Sequence, residues 1–517
     1  MSTPPFCQVW QASVDRHGDR PFLTWLPEQG PSRTWSYAEF DHLVAAASGT
    51  LVQAGAGAGD RIHLIHPNGP AFVLAWLATL RLGGIMVAAD PRATPPELAA
   101  QVGLTEPVVA IVTQEKAPVY DAARDMAIRP PAAVITCDPG ATALGQGVGI
   151  AKPADVSPKG PAALLFTSGT TSAPKAVIVT QANYSRAGEI MATAADVTAE
   201  SRWIVCLPMF HANAQYYCFA AAISRGAEVC LLPRFSASTF ISSARAAAAT
   251  HASLFAAPVR MILRATSPDA PPAGLRHCWY AQNLSLAEYD SFARLASCEP
   301  RQLYGMTETM AAVLTNPAGH PVPDSMGQVT PGCRVRLVTS EGDEAEPGVE
   351  GEIVVPGAAG IDISPGYWNN EPATREAFTS AGLRTGDYAR HDSDGYYFFH
   401  GRRSDILKVA GENVSTVEIE AVLAAHDAVR EVAVVGEAHD VLDEVPVAYI
   451  VLEPGLDAKR AITDLSTWSE TSLAPSKRPR AFRIVQALPR TSVGKIRKVS
   501  LRSADDPERA ATGGELA

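Results

Sequence analysis

Five short segments carry residue types that could do chemistry, and the first is the richest. Leu164-Leu-Phe-Thr-Ser-Gly-Thr-Thr-Ser-Ala-Pro-Lys-Ala-Val177 runs an apolar strand into a bend of small and hydroxylated residues, then Lys175, then a second β-branched run. Hydroxyls and free backbone N–H groups on a bend suit a polyphosphate, and a lysine adds a point charge. The segment is not a Walker A loop, because no Gly-Lys-Ser/Thr closes it. A Ser/Thr-rich surface turn would use the same residues. Tyr304-Gly-Met-Thr-Glu-Thr309 follows an apolar run ending at Leu303. An aromatic beside a glycine can stack on a base, and Thr307 and Glu308 offer hard oxygens to Mg²⁺. A turn capped by threonine accounts for these residues equally well. In Leu383-Arg-Thr-Gly-Asp-Tyr388 an Asp on a glycine turn can chelate two vicinal hydroxyls, as a ribose offers, or simply close an Asx turn. Gly401-Arg-Arg-Ser-Asp-Ile-Leu-Lys408 leads into Val409-Ala-Gly-Glu-Asn-Val-Ser415. Last, Pro489-Arg-Thr-Ser-Val-Gly-Lys-Ile496 sets Lys495 on a Gly-containing loop, where a solvated lysine is the plain alternative.

The elements that must position these segments alternate. Apolar β-rich runs at 108–112, 132–135, 203–207, 227–232 and 254–257 are interleaved with helix-period stretches at 96–101, 182–194, 214–224 and 238–249. This alternation predicts layered α/β structure with largely parallel sheets, whose ligands bind in loops at strand ends. After about residue 325 short strands at 334–338, 351–355 and 396–399, punctuated by Gly, Pro and Asp, predict a β-rich subdomain. A last α+β unit follows, with strands at 406–409, 431–435, 445–451 and 481–485 and helices at 417–425 and 457–473. The polar stretch 504–517 reads as a frayed tail.

Composition bounds the rest. The chain has 517 residues, 47% hydrophobic and 19% charged, enough apolar material for several cores and unlike a disordered chain. Its net charge of −11, from 43 Lys and Arg against 54 Asp and Glu, excludes a basic nucleic-acid coat, so an anionic ligand must be held by local charges. Eight cysteines stand apart with no CxxC pair, as small buried hydrophobes do in a reducing compartment. The N-terminus has no basic, apolar leader pattern, and the apolar run at 71–80 is too short to span a bilayer. The expectation is a cytoplasmic protein with no membrane partner. His63 and His66 share a strand-like run with no further ligands near them and read as structural, and no G-x-S-x-G elbow points to a serine hydrolase.

The segments TSGTT-x-x-PK, YGMTET, TGD, GRxxD and PRTxxGK occur once each and in this order, and in that order the chain resembles the adenylate-forming superfamily: acyl- and aryl-CoA synthetases, adenylation domains of peptide synthetases and firefly-type luciferases. The resemblance runs from Thr34 to Lys495. It implies an α/β fold: a large N-terminal domain of layered α/β subdomains plus a β-rich subdomain (1–403), a small mobile C-terminal α+β domain (404–503) that acts as a lid, and a tail (504–517). It implies two steps. A substrate oxyanion attacks the α-phosphate of ATP to give an acyl-AMP and pyrophosphate, and a thiol, usually coenzyme A, then displaces AMP. Thr167, Ser168, Gly169, Thr170, Thr171 and Lys175 match the phosphate loop. Ala281, Gln282 and Asn283 match the adenine-binding stretch, and Tyr304 with Gly305 the adenine contact. Thr307 matches a phosphate contact, Glu308 and Thr170 the Mg²⁺ ligands, and Asp387 and Arg402 the ribose contacts. Lys495 matches the cation that bridges the substrate carboxylate and the α-phosphate, an electrostatic role as two anions meet. Ser172 and Ala176 stand where this loop usually has glycine, and Ser404 where the hinge is commonly Asp or Lys.

The substrate segment is Leu207-Pro-Met-Phe-His211. Amino-acid-activating relatives carry Asp where His211 stands, which disfavours an α-amino acid and makes His211 a candidate catalytic residue. As a helix, the following residues would place Asn213, Tyr216 and Tyr217 on one face, rather polar for a long alkyl chain. With Met306 these give candidate contacts to a small or functionalised carboxylic acid, in the manner of crotonobetaine/carnitine-CoA ligases. The expectation is an AMP-forming acid–CoA ligase, as monomer or homodimer, using ATP, Mg²⁺ and coenzyme A. Two alternatives stand beside it. One is an adenylating enzyme whose acceptor is a carrier-protein thiol or an amine, or whose substrate is another oxyanion such as nitrite. The other is a non-catalytic nucleotide-binding relative.

Overall fold

The structure, a computed structural model, describes residues 3–144, 153–167, 175–402, 405–409, 412–439, 442–490 and 496–502. The chain divides into two compact units: Met1–Arg336 with Val354–Arg384 and Ser393–Tyr397, and Leu337–Ile353 with Thr385–Asp392 and Phe398–Ala517.

The first unit holds two large sheets. One has six strands in the order Ala133–Thr136, Val109–Val112, Arg61–Ile65, Ile85–Ala89, Pro161–Thr167, Lys175–Thr180. All neighbours are parallel except the last pair, which closes as a hairpin with Thr167 opposite Lys175. The other has nine strands: Gln328–Val329, Leu314–Thr315, Arg301–Tyr304, His277–Ala281, His251–Phe255, Arg202–Val205, Glu228–Leu231, Pro21–Trp25 and Arg33–Ser36. Its central strands are parallel and antiparallel strands protect both edges. Strands buried on both faces read as near-continuous apolar runs, which is why 85–89 (IMVAA) carries no alternation. One core joins the sheets: Met86 and Leu165 from the first, Val205, Leu231 and Trp279 from the second, with Trp76 and Tyr184 from the helices Pro70–Arg81 and Gln181–Ala194.

Helix starts follow their caps. Ser285 accepts from the Glu288 N–H and the Glu288 carboxylate accepts from the Ser285 N–H, so the helix Leu286–Ala296 begins directly after the segment 281–284. One expectation holds only in part. The stretch read as a single helix over 214–224 is a π-helix, Asn213–Phe219, continued by the α-helix Ala220–Arg225. Periodicity does not separate the two, because a seven-residue stretch is too short for its side-chain period to show whether bonds close at i+4 or i+5.

The second unit centres on a sheet in the order Glu412–Ser415, Ile406–Val409, Asp443–Leu452, Val429–His439, with Ala481–Ile484 pairing to Asp443–Leu452. The helices Thr416–Ala424 and Ala458–Ser472 contribute Ile419, Leu423 and Leu465 to its core. All eight cysteines are free. Among the described residues no helix is long and apolar enough to cross a membrane.

Candidate active site

Thr167, the stretch Ala281–Asn283 and the segment Tyr304–Glu308 lie at or just beyond the carboxyl ends of strands in the parallel parts of the two sheets, the place where such sheets bind ligands. Thr167 ends one strand and Lys175 begins its hairpin partner. The Thr167 hydroxyl faces the Lys175 carbonyl at 3.5 Å, so the two ends of the loop leave the sheet side by side. Ser168, Gly169, Thr170, Thr171, Ser172, Ser404 and Lys495 lie outside the described residues.

Glu308 sits in the short 3₁₀ turn Thr307–Thr309 after the strand Arg301–Tyr304. The turn is braced by Thr309, whose Oγ1 accepts from the Met306 N–H at 3.0 Å. Glu308 is only 4% exposed, and a buried carboxylate needs a partner. One is Tyr367, whose hydroxyl donates to Glu308 Oε1 at 2.9 Å. Lys175 Nζ lies 5.0 Å from the centroid of the same Tyr367 ring. Tyr367 therefore links the loop's lysine to the buried acid. Burial, and then the Glu308 charge, push its phenol above the ordinary range, so it stays a donor. No motif announces Tyr367. It arrives because the segment 364–368 runs along the strand Lys175–Thr180. The Ile178 N–H donates to Gly366 O at 3.0 Å and the Trp368 N–H to Ala176 O at 2.8 Å. The Ser364 N–H donates to Glu308 O at 2.9 Å and its hydroxyl to Ile178 O at 2.8 Å, tying the turn to the hairpin. Gly366 is required here, because a Cβ would meet Thr374 Cγ2 at 2.4 Å.

Gly305 marks a second close approach. A Cβ on it would lie 2.9 Å from the Tyr217 hydroxyl, 3.0 Å from Ala311 O and 3.0 Å from Ala312 Cα. The structure thus brings the expected substrate residue Tyr217 against the segment 304–308. Tyr304 ends its strand half-buried, opposite Leu314. Met306 and Thr307 follow in the turn. Asn213 opens the π-helix and is 7% exposed. The His211 ring packs against Phe210 with centroids 4.3 Å apart and planes tilted by 43°, and its backbone N–H donates to Pro208 O at 3.2 Å.

Beyond the strand His277–Ala281 the chain turns sharply. Gln282 has φ +73°, a left-handed conformation uncommon for a residue with a side chain. Ala281 is half-buried, whereas Gln282 and Asn283 are exposed. The turn is held from two sides. Arg260 donates to Asn283 O at 2.8 Å, and the Asn283 side-chain amide pairs at 2.8 Å with that of Gln302, on the strand leading to Tyr304.

In the second unit Asp387 is 2% exposed and meets Arg402 Nε at 2.8 Å. Gly386, at φ +72°, makes the turn before it, and its N–H donates to Glu352 Oε1 at 3.1 Å. Thr385 donates to Ile353 O at 2.8 Å. Farther along, Lys498 lies 2.8 Å from Glu420, 3.4 Å from Asp405 and 3.0 Å from Thr416 Oγ1.

Among the described residues no three His, Cys, Asp or Glu side chains form a metal cage. A single buried carboxylate with hydroxyls nearby is what Mg²⁺ accepts, since it keeps its waters and binds through one or two carboxylates plus substrate phosphates. Glu308 fits that donor set.

The chain is similar to known proteins over almost its whole length. A family profile described as AMP-binding enzyme matches residues 10–368, and one described as AMP-binding enzyme C-terminal domain matches residues 418–495. A crotonobetaine/carnitine–CoA ligase from Salmonella paratyphi A is 28% identical, covering 96% of this chain and 98% of the relative. ATP-bound MatB from Rhodopseudomonas palustris superposes with a TM-score of 0.86 at 25% identity, over 96% of this chain and 98% of MatB. A benzoate CoA ligase from Burkholderia xenovorans shares the fold, with a TM-score of 0.85 at 24% identity over 97% of this chain and all of that one.

Proposed function

We infer that this chain, which belongs to the AMP-binding enzyme family, is an AMP-forming acid–CoA ligase: it activates a small carboxylic acid with ATP as an acyl-AMP and transfers the acyl group to coenzyme A. The observation that carries the site assignment is the linked set Lys175, Tyr367 and Glu308. A cation and a buried carboxylate share one phenol ring there, and the cation directly follows residues 168–174 in sequence.

In this reading Lys175 and the loop hydroxyls hold the ATP phosphates, and Glu308, with Thr170, would hold Mg²⁺. When bound, the ion neutralises phosphate charge and leaves the α-phosphate open to an anion. Tyr367 keeps the Glu308 carboxylate oriented. The turn 281–283 and Tyr304 receive the adenine, and Asp387 accepts the ribose hydroxyls with Arg402 fixing its carboxylate. Tyr217, Asn213, His211 and Met306 line the acid side. Lys495, on a lid domain of residues 404–503, supplies the charge that lets carboxylate and α-phosphate approach, and the lid keeps water from the acyl-AMP. The test is a panel of small acids assayed for acid-dependent pyrophosphate release. Lys495→Ala is expected to lose adenylation and keep ATP binding. Full activity in that variant overturns the assignment.

A further inference from the structure

Four acidic side chains among the described residues are at least nine-tenths buried: Glu228, Glu308, Glu352 and Asp387. A carboxylate so placed costs free energy unless its charge is put to use. Glu228 faces Arg202 at 2.7 Å, Glu308 accepts from Tyr367, and Asp387 meets Arg402. Glu352, 5% exposed on the strand Gly351–Val355, lends its Oε1 to a backbone group beside Asp387, the Gly386 N–H, at 3.1 Å. A backbone N–H held by a carboxylate makes a stronger bond than one held by a neutral acceptor.

The bond acts where the backbone is least constrained. A Cβ on Gly386 would meet nothing within 4 Å, so glycine stands there for its left-handed φ of +72° and not for lack of space. Peptide planes reorient only through the soft dihedrals beside them. The plane before Gly386 is held by Glu352 through the Gly386 N–H. The plane after it is held through the Asp387 N–H, which donates to Thr385 Oγ1 at 3.1 Å, and that hydroxyl donates to Ile353 O at 2.8 Å. Two consecutive strand residues, 352 and 353, thus fix both planes flanking Gly386. They thereby fix the direction in which the Asp387 side chain leaves the backbone. All these groups belong to the second unit.

We propose that Glu352 is a positioning residue for the nucleotide: together with Thr385 it pins the turn 385–387 so that Asp387 meets both ribose hydroxyls at once. The inference rests on the ribose role of Asp387 in the acid-ligase reading above and adds the residue that aims it. Chelating two vicinal hydroxyls needs both contacts at hydrogen-bond distance together, so a small rotation of the turn forfeits one or both. Glu352 itself touches neither nucleotide nor acid in this scheme. Its loss therefore shows as lost reading of the sugar and leaves the acid KM in place.

The test uses the full chain and acid-dependent pyrophosphate release with ATP, 2′-deoxy-ATP and 3′-deoxy-ATP. In the wild type kcat/KM for ATP should exceed that of the poorer deoxy analogue by about 10-fold or more, the worth of a hydrogen bond to a charged group. In Glu352→Leu that ratio falls to within about threefold of one, with the loss confined to ATP and the acid KM unchanged. Glu352→Gln keeps an acceptor for the Gly386 N–H and should recover at least about a third of the wild-type ratio. Thr385→Val, which leaves Glu352 in place and frees the second peptide plane, should lower the ratio as well, and it carries the test if Glu352→Leu does not fold. A ratio unchanged in the folded leucine variant, or in Thr385→Val, overturns the proposal. So does a loss shared equally by ATP and both analogues, or a glutamine variant that falls as far as leucine. If the wild type does not distinguish the three nucleotides, the ribose role of Asp387 has failed and the proposal falls with it. If no acid elicits pyrophosphate release, it is the acid-ligase reading that has failed.

Discussion

Replacing Tyr367 with Phe removes one oxygen and leaves the ring. The ring keeps its place under Lys175 at 5.0 Å and its edge contact with Phe378 at 5.8 Å, so packing is preserved. What is lost is the 2.9 Å hydrogen bond to a carboxylate that is 4% exposed. A hydrogen bond to a charged group contributes about 1.5–3 kcal/mol. At about 1.4 kcal/mol per decade this is roughly a 10- to 150-fold effect. The loss should appear in kcat/KM for ATP at limiting Mg²⁺, measured by acid-dependent pyrophosphate release, and shrink as Mg²⁺ is raised. The KM for the acid should move little, and the melting temperature by only a few degrees. A variant within twofold of the wild type at every Mg²⁺ concentration refutes the link between Tyr367 and Glu308. So does a loss expressed entirely in the acid KM.

Other outcomes follow from the same structure. Gly305→Ala places a methyl within 3.0 Å of the Tyr217 hydroxyl and Ala311 O; at about 1–3 kcal/mol of strain it should cost roughly 5- to 150-fold in kcat/KM, and adding Tyr217→Phe should recover part of the loss. His63 is fully buried between Tyr120 (3.0 Å) and Gln101 (3.1 Å), and burial lowers its pKa to about 4. The unfolded chain, with an ordinary histidine pKa near 6.5, binds the proton more readily, so this contribution is intact above pH 6.5 and is lost as pH falls toward 4. The difference is worth about 3 kcal/mol, and the fall in melting temperature between pH 7 and 4.5 should be shallower in His63→Leu. Lys498→Met strands the Glu420 and Asp405 carboxylates, which should cost the second unit about 3–5 kcal/mol by chemical denaturation, with Glu420→Gln restoring part of it.

How much of this was legible beforehand depended on whether the information was local. The hairpin from Pro161–Thr167 to Lys175–Thr180 was readable because an Ala/Leu/Phe run and a β-branched run flank a stretch of small and hydroxylated residues in the sequence. Glu308 and Asp387 were readable because each sits in a short segment with its glycine. Tyr367 was not, since it reaches Glu308 across 59 residues and gets there through Ser364 and Gly366, whose contacts exist only once the chain has folded along Lys175–Thr180. Asn213, Tyr216 and Tyr217 were singled out as a polar group on one helical face, but the π form of that turn was hidden, because side-chain spacing does not show whether bonds close at i+4 or i+5. The left-handed backbone at Gln282 was equally silent, as glutamine carries no signal for positive φ.

This chain joins an acid to a thiol at the expense of ATP cleaved between its α- and β-phosphates. Incubating the protein with ATP, Mg²⁺, coenzyme A and a responsive acid, and quantifying nucleotides and thioester together, tests it most directly. AMP, pyrophosphate and acyl-CoA are expected in equal amounts, none of them formed without the acid. Release of ADP and phosphate, or AMP formation indifferent to the acid, would contradict it.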